Sequence, residues 1–244
     1  MKLNRLYDEF AYLYPLISGP EAYADEAQLW KNVLCEKLGP GRHTMIEMGV
    51  GGGFNLSHFI QDFDATGSDL SEKMVNVSQK FNPGIPHVVG DMRTMRIGKQ
   101  FKAVLIHDAI CYMLTEDDLR QTFVTAHEHL EPGGFLLTAP DYFKETFTDG
   151  MVRHNTMSDG TTTLTHLEYE YDLDPNDTVN EMLIHYLIRK DGKLRVERDL
   201  HVLGLFSVET WHRLLTETGF DVEQRQHSLY NDGRVGWLLI AQKK

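Results

Sequence analysis

The chain has 244 residues, of which 41% are hydrophobic and 25% charged, so it can bury a full core as one domain with an insertion. No run reaches the ~20 apolar residues of a membrane span, and the N-terminus lacks the apolar stretch of a signal peptide. These features favour a cytoplasmic protein with no membrane partner. The formal charge of -12 is not offset by any cluster of Lys and Arg, so nucleic acid is disfavoured as a partner.

Cysteine and histidine usage predicts neither disulfides nor a metal site. Cys35 and Cys111 have no C-x-x-C spacing, so both are expected to be reduced thiols. The 12 histidines are scattered, without an H-E-x-x-H motif or paired His and Cys spacing. No metal is therefore expected in the function.

Two helices are predicted before the first strand. Residues 3–18 place apolar side chains at helical spacing and end at Gly19-Pro20. A second helix, about 21–38, closes at Gly39-Pro40.

Strand and helix then alternate along the chain. The strands are expected at 44–48, 65–69, 86–90, 102–107 and 134–139, and the helices at 54–62, 71–80 and 116–130. Ser71 is the predicted N-cap of its helix. This alternation predicts an α/β fold, a doubly wound and mostly parallel sheet covered on both faces.

The pattern changes to antiparallel strands after Pro140. Alternating residues at 167–171 and two runs, 179–189 and 194–202, joined across Asp191-Gly192, predict a small antiparallel β insertion over 142–206. Ser207 then caps a helix through Thr218, and two strands follow at 221–227 and 235–242. Residues 1–141 and 207–244 are accordingly expected to form one domain, interrupted by the insertion.

The turn after the first predicted strand contains the most informative motif, Glu47-Met-Gly49-Val-Gly51-Gly-Gly53. Glycines lack a Cβ, so they let backbone N–H groups approach a ligand closely and let the chain turn sharply. A dinucleotide fingerprint G-x-G-x-x-G would need glycine at position 54 or 56, which hold Phe and Leu. Both registers fail, so a nicotinamide dinucleotide is disfavoured.

This glycine motif resembles the first motif of class I S-adenosylmethionine-dependent methyltransferases. The resemblance covers residues 40–142 and the C-terminal strand pair, and includes a Leu130-Glu-Pro-Gly-Gly134 connector. It implies a seven-stranded sheet with an antiparallel last strand, and S-adenosylmethionine as cofactor, released as S-adenosylhomocysteine. It also implies a cofactor-binding domain whose residues 1–38 form a helical lid. Within that lid, Tyr7-Asp8-x-Phe-Ala-x-x-Tyr14 resembles the lid helix of small-molecule methyltransferases, which assigns Tyr14 to the cofactor.

Further cofactor residues follow at the ends of the second and third strands. Asp69 ends the second strand, and a carboxylate there can accept hydrogen bonds from both ribose hydroxyls. Asp91 could accept from the adenine amino group while Met92 packs on the ring. The resemblance implies these roles, with Glu47 at the methionine amino end and Gly49, Gly51 and Gly53 in the cofactor turn. It also implies Leu70 beside Asp69.

The end of the fourth strand supplies the candidate catalytic residues His107, Asp108 and Tyr112. Ligands of open parallel sheets bind outside the carboxyl ends of the strands, so polar residues here face the pocket. His107-Asp-Ala-Ile is similar to the Arg-Asp-Ala-Ile stretch of phosphoethanolamine-type N-methyltransferases, in which the position of Tyr112 carries a catalytic histidine. His107 could bind cofactor or act as a general base, or it could be structural.

The insertion supplies one more candidate, His201. Along 194–202, Leu194 and the other apolar residues share one face, while Arg195, Glu197, Asp199 and His201 share the other. This polar face could be a solvated edge, or it could bring His201 to the acceptor. The insertion departs from the carboxyl end of a strand, so we expect it to cover the acceptor site.

The function implied is therefore methyl transfer to N or O of a small-molecule acceptor. Such a transfer needs the acceptor, methyl carbon and sulfur held in line with water excluded. Two alternatives remain, an aminopropyltransferase of the same fold and a non-catalytic S-adenosylmethionine-binding protein. The protein is expected to be a monomer or a homodimer.

Overall fold

The computed structural model describes residues 3–229 and 235–244, which contain two β-sheets. The seven strands of the main sheet are β1 (His43–Met48), β2 (Phe63–Asp69), β3 (His87–Val89), β4 (Phe101–Ile106), β5 (Leu130–Thr138), β10 (Phe220–His227) and β11 (Gly236–Lys243). The strands of the second sheet are β6 (Met151–Ser158), β7 (Thr162–Tyr171), β8 (Val179–Lys190) and β9 (Lys193–Gly204). The second sheet lies within the predicted insertion.

The main sheet has the order β3-β2-β1-β4-β5-β11-β10. Strands β1 to β5 pair in parallel, whereas β11 runs antiparallel to both β5 and β10. The predicted doubly wound, mostly parallel seven-stranded sheet is thus confirmed. The strand order reverses between β1 and β4, where Ile46 pairs with Val104. Loops leaving the carboxyl ends of these strands therefore diverge and open a crevice.

Helices cover both faces of this sheet. They are α2 (Ala24–Leu38), α3 (Glu72–Phe81), α4 (Glu116–His129) and α5 (Val208–Glu217). Trp30 of α2 lies in the core on one face, and Phe123 of α4 and Trp211 of α5 lie in the core on the other. Ser71 and Ser207 accept hydrogen bonds from the first turns of α3 and α5, as predicted. None of the helices within the described residues is long and apolar enough to cross a membrane.

The prediction of one helix over residues 3–18 is wrong. The segment consists of 3-10 turns at Arg5–Tyr7 and Ala11–Leu13 and a single α-helical turn, α1 (Tyr14–Ile17). Its backbone closes short local turns, such as Leu13 N–H to the Phe10 carbonyl at 2.8 Å, and also bonds to the second sheet. The N–H of Asn4 donates to the Leu200 carbonyl at 3.1 Å, and the N–H of Leu6 donates to Asp199 Oδ2 at 2.8 Å. In a helix that began at residue 3 these two N–H groups would have no partner within the helix, so the second sheet satisfies donors that the helix would leave unpaired.

The predicted helix over 54–62 is also wrong, since only a 3-10 turn forms there, at Leu56–His58. Two polar side chains compete for local partners in this segment. Asn55 Nδ2 donates to Glu47 Oε1 at 2.7 Å, and Ser57 Oγ donates to the Phe54 carbonyl at 2.6 Å. Side-chain bonds of this kind offer the chain an alternative to the helical ladder.

The second sheet has four strands, one more than the insertion pattern indicated. Strand β6 was missed because its central segment, Arg153-His-Asn-Thr156, has no apolar alternation. The turn at Asp191-Gly192 is confirmed, with φ of 51° and 71° for its two residues. Such a pair of positive φ angles is typical of a two-residue hairpin turn.

The face of β9 that is buried is the polar one. Leu194 and Val196 are 64% and 58% exposed, whereas Asp199 and His201 are fully buried. The inner face of the sheet packs on the N-terminal segment, where Phe10 stands edge-on to Tyr186 with ring centroids 5.4 Å apart. The N-terminal segment thereby joins the second sheet to the rest of the molecule.

Candidate active site

A cavity of about 620 Å³ opens at the carboxyl edge of the main sheet. Its walls come from the loops after β1 to β4, the N-terminal segment and the end of β9. The sequence-predicted residues that line it are Tyr14, Glu47, Gly49, Gly51, Asp69, Leu70, Asp91, Met92, His107, Asp108 and Tyr112. The fold therefore brings together residues as distant in the sequence as Tyr14 and Tyr112.

The glycine turn forms the floor beside β1. Gly49 and Gly51 have φ of 78° and 53°, a region that L side chains rarely adopt. The N–H of Gly49 bonds to the Ser68 carbonyl at 2.8 Å, which fixes the turn against β2. A Cβ on Gly49 would lie 2.1 Å from the Cβ of Ala109, so only glycine fits between the two loops.

Gly53 does not line the cavity. A Cβ at this position would lie 2.1 Å from Ser78 Oγ, and the Gly53 carbonyl accepts from Asn82 Nδ2 at 2.8 Å. Its φ of 77° and this packing against α3 explain why glycine stands here. The geometry gives Gly53 a role in shaping the turn.

Asp69 stands where β2 ends, with each carboxylate oxygen held by one backbone donor. The N–H of Gly51 donates to Oδ2 at 2.8 Å, and the N–H of Ser71 donates to Oδ1 at 2.8 Å. Burial raises the pKa of Asp69, although these two bonds favour the ionised form. Each oxygen keeps a lone pair for a ligand hydroxyl.

Glu47 is buried in the cavity wall with one oxygen unpartnered. Oε1 accepts from Asn55 at 2.7 Å, whereas Oε2 has no hydrogen-bond partner. Burial raises the pKa of Glu47 to about 7. A buried carboxylate oxygen without a donor is costly, so this position fits a cationic ligand group such as an ammonium.

Asp91 is held by Arg93, which sequence reasoning did not identify. The guanidinium of Arg93 lies 2.7 Å from Asp91 Oδ2 and 2.6 Å from Asp118 Oδ1. Hydrogen bonding to Arg93 lowers the pKa of Asp91. The carboxylate is therefore ionised and fixed in the cavity wall.

His107 is bracketed by two carboxylates. Its Nδ1 lies 2.8 Å from Asp108 Oδ1, and its Nε2 lies 3.1 Å from Glu26 Oε2, without hydrogen-bond alignment at the latter. Burial alone would lower the pKa of His107, but the two carboxylates outweigh it and hold that pKa well above its ordinary value. An imidazole held as a cation cannot accept a proton, which disfavours a general base at this position.

Four phenols surround the open part of the cavity in two hydrogen-bonded pairs. Tyr14 and Tyr23 join their hydroxyls at 3.1 Å, and Tyr7 and Tyr112 join theirs at 2.9 Å. Burial raises the pKa of Tyr7, Tyr14 and Tyr112 well above the ordinary value, so these groups are neutral phenols. Together with the carboxylate of Asp108 they present oxygen atoms to whatever fills the space between them.

His201 lies behind this wall and does not line the cavity. Its Nδ1 is 2.6 Å from the Tyr112 hydroxyl, and its Nε2 is 3.0 Å from Asp199 Oδ2. The end of β9 fits closely against the Tyr112 loop, because a Cβ on Gly204 would lie 2.0 Å from the Met113 carbonyl. His201 can thus act on a ligand only through Tyr112.

Several site residues were missed for different reasons. Tyr7 stood in the lid motif, but the resemblance assigned only Tyr14 there. Tyr23 and Glu26 gave no sequence signal: Tyr23 lines the cavity from the turn before α2, and Glu26 of α2 contacts His107. Arg93 follows Asp91-Met92, and a basic residue two positions from an acid was a signal that could have been used. Within 3–229 and 235–244, no three His, Cys, Asp or Glu side chains could hold a metal ion.

A sequence model of a family described as "Methyltransferase domain" matches residues 45–134. This range contains the glycine turn, Asp69, Asp91 and the loop after β4.

Two characterised relatives match most of the chain. A dTDP-3-amino-3,4,6-trideoxy-alpha-D-glucopyranose N,N-dimethyltransferase of Streptomyces venezuelae is 30% identical over 204 residues, which are 82% of this chain and 84% of the relative. A dTDP-3-amino-3,6-dideoxy-alpha-D-glucopyranose N,N-dimethyltransferase of Streptomyces fradiae is 27% identical, over 88% of this chain and 85% of the relative. Among solved structures, Streptomyces venezuelae DesVI superposes with a TM-score of 0.83 at 26% identity and covers 100% of both chains.

The chain belongs to the class I S-adenosylmethionine-dependent methyltransferases. It is an enzyme of the small-molecule type, so the predicted family, cofactor and reaction class are confirmed. Neither the aminopropyltransferase nor the non-catalytic alternative has comparable support.

The site fits this cofactor on its own geometry. The unpartnered Glu47 oxygen suits the ammonium of the methionine moiety, and the Gly49 cradle has no room for a side chain. The free lone pairs of Asp69 suit the ribose hydroxyls. The cofactor supplies an electrophilic methyl group on a sulfonium, and the protein supplies position and exclusion of water.

Proposed function

We infer that this enzyme methylates the amino group of a nucleotide-linked amino-deoxy sugar. Both characterised relatives are named for dTDP-linked amino sugars, and both are N,N-dimethyltransferases. Small-molecule acceptors of this kind are compatible with a cavity of about 620 Å³ that also holds the cofactor.

The position of His107 between two carboxylates is the observation that favours nitrogen over oxygen as the acceptor atom. It is the one imidazole among the described residues that line the cavity, and Asp108 and Glu26 hold it as a cation. A sugar hydroxyl needs a general base that removes its proton as it attacks, whereas an amine attacks through its own lone pair once its ammonium proton has left. The ring of phenols and the Asp108 carboxylate can orient an amine through its N–H groups.

Each proposed cofactor residue contacts a particular part of S-adenosylmethionine. Glu47 faces the ammonium, Gly49 and Gly51 face the methionine backbone, and Asp69 faces the ribose, with Leu70 beside it. The adenine ring lies between Asp91 and Met92. The lid residue Tyr14 covers the methyl donor, and its ring stacks on Phe54 at 5.8 Å.

The proposed acceptor residues are Asp108 and Tyr112, with His107 and His201 acting through them. The insertion over 142–206 is proposed to cover the acceptor site. Val202 lines the cavity, and Thr178 donates from its hydroxyl to the Leu114 carbonyl at 2.8 Å. These contacts support a position of the second sheet beside the acceptor.

A matched pair of acceptors tests the proposal. Purified enzyme is given S-adenosylmethionine and either a dTDP-3-amino-3,6-dideoxyhexose or the same sugar with a 3-hydroxyl. We expect S-adenosylhomocysteine to form with the amine only, with two equivalents formed for each sugar. Equal or greater release with the hydroxyl compound would contradict the proposal. The free amino sugar without its nucleotide shows whether the nucleotide is required.

A further inference from the structure

A buried hydrogen-bonded row leads from the second sheet into the cavity, and we call Asp199, His201 and Tyr112 the Asp–His–Tyr relay. We propose that the relay takes the proton from the acceptor ammonium, with Tyr112 as the contacting group and His201 as the residue that receives the proton. The inference rests on the proposed function, because it concerns the amine that this function names.

The hydrogen-bond pattern fixes how the relay is protonated. Burial alone would raise the pKa of Asp199, but hydrogen bonds from His201 and from backbone N–H groups hold it below the ordinary value. An ionised carboxylate only accepts, so Nε2 of His201 carries the hydrogen that lies 3.0 Å from Asp199 Oδ2. In a neutral ring Nδ1 is then the acceptor, and the Tyr112 hydroxyl donates to it at 2.6 Å.

This arrangement makes the Tyr112 oxygen an acceptor toward the cavity. Its only hydrogen points at His201, and Tyr7 can donate to it at 2.9 Å. The remaining lone pair faces the cavity that Tyr112 lines. If His201 were protonated, the hydrogen bond between His201 and Tyr112 would reverse its direction. Nδ1 would then donate, and the Tyr112 hydrogen would point away from His201. That hydrogen could then block the amine lone pair.

The proton balance follows from the acceptor chemistry. An alkyl amine enters mostly as an ammonium at neutral pH, and its lone pair must be freed before attack. The ammonium gives a proton to the Tyr112 oxygen as the Tyr112 proton moves to His201 Nδ1. The freed lone pair forms the N–C bond, and the electron pair of the broken C–S bond stays on sulfur. The imidazolium, paired with Asp199, later returns its proton through Tyr112 to cavity water.

Titratable groups of several other elements surround the relay. Those packed around it are Arg5, Tyr7, Tyr14, Cys111, Asp141 and Tyr186. Arg5 is bound by Glu9 and Glu197, and the phenols are neutral. Burial raises the pKa of Cys111 well above its ordinary value, so it holds its proton.

His201→Asn tests the relay, because the Asn amide oxygen can accept from Tyr112 but cannot hold a proton. At pH 7 we expect kcat to fall by ~10²-fold while the S-adenosylhomocysteine Kd is unchanged. The rate should then rise about tenfold per pH unit, since the amine must lose its proton in bulk water. The exposed His154 of the same sheet provides the matched control, and His154→Asn should behave as wild type.

Tyr112→Phe should show the same pH dependence as His201→Asn, and it decides the matter if the latter does not fold. ¹⁵N NMR of histidine-labelled enzyme gives a readout without turnover. We expect Nε2 of neutral His201 to be protonated, and the Nδ1 signal to move when Tyr112 loses its hydroxyl. Wild-type pH profiles in both variants, or a hydrogen on Nδ1 of the neutral ring, would overturn the relay. Absence of wild-type turnover with any amine would instead refute the proposed function.

Discussion

Asp69 is the side chain whose removal should most directly weaken cofactor binding. Asp69→Ala takes away a carboxylate with a free lone pair on each oxygen, so S-adenosylhomocysteine should bind ~1.5 to 3 kcal/mol more weakly in calorimetry. Asp64→Ala, on the same strand but exposed and bound by Arg42, is the control and should bind normally. Equal affinities of the two variants would show that Asp69 does not contact the ribose.

Glu47 should make cofactor affinity depend on pH. Its pKa of about 7 means that the carboxyl is increasingly neutral below this pH, and a neutral acid does not pair with an ammonium. Affinity should therefore fall as pH decreases through 7, and Glu47→Gln should be weak and pH-independent. Calorimetry at several pH values checks this. A wild-type affinity that stays constant from pH 8 to pH 6 would contradict it.

The same carboxyl should act on folding stability in the opposite direction. The folded protein holds this proton more tightly than the unfolded chain, since the pKa is raised from 4.5 to about 7. Its stabilising contribution is fully present below pH 4.5 and is lost as pH rises through 7. Glu47→Gln should thus raise the thermal midpoint of the cofactor-free protein at pH 8. A lower midpoint would show that the negative charge has a compensating partner.

At the level of single residues, the sequence predicted a cavity residue correctly where an acidic residue stands at or just after the end of a strand. Asp69 and Asp91 end or follow strands, and both line the cavity. It could not identify Tyr23 or Glu26, since their positions depend on how the lid segment docks. It also could not assign the protonation of His107, because that depends on contact with the carboxylate of Glu26, which is distant in the sequence.

The turn after β1 should tolerate no side chain at Gly49. Gly49→Ala combines a positive φ with a Cβ placed 2.1 Å from Ala109. Gly192→Ala is the matched control, because its φ of 71° is similar and nothing lies within 4 Å of its Cβ. The control should cost only the strain of ~1 to 2 kcal/mol, whereas Gly49→Ala should cost more and abolish cofactor binding. Equal stability losses in thermal unfolding would contradict the close approach of the two loops.

The N-terminal segment should depend on the second sheet for its order. Phe10 is buried against Tyr186, so Phe10→Ala should lower the free energy of unfolding by ~3 to 5 kcal/mol and weaken cofactor binding through Tyr7 and Tyr14. Tyr12→Ala removes an aromatic ring that is 57% exposed and serves as control. Denaturant unfolding and calorimetry report the two effects. A Phe10→Ala variant as stable as Tyr12→Ala would show that the order of the N-terminal segment does not depend on the second sheet.

Elements were predictable where local pattern and tertiary role agree. The parallel strands, α3 to α5 and the Asp191-Gly192 turn follow from periodicity, caps and turn residues. The segments 3–18 and 54–62 have helical spacing of apolar residues, yet 3-10 turns, tertiary contacts and side-chain bonds replace the helical ladder there. The spacing of apolar residues could not predict this outcome, because it indicates which face of a segment is buried and not which groups its backbone bonds to.

For the whole molecule, the topology explains why the site lies where it does. Four loops converge at the carboxyl edge around the strand reversal, and the second sheet adds the N-terminal segment and the end of β9. The sequence motifs located the part of this cavity that the loops after β1, β2 and β3 line. The remainder depends on packing between distant segments, and His201 illustrates this, since it is predicted as a site residue but reaches the cavity only through Tyr112.

The central claim is that the enzyme places methyl groups on the nitrogen of an amino sugar. The most direct test is turnover with S-adenosylmethionine labelled with ¹³C in its methyl group, followed by NMR of the product made from a dTDP-3-amino-3,6-dideoxyhexose. We predict labelled methyl signals that correlate only with the sugar carbon bearing the amine, with two methyl groups on each nitrogen. Label on a hydroxyl oxygen, or an unlabelled sugar while S-adenosylmethionine remains intact, would contradict the account.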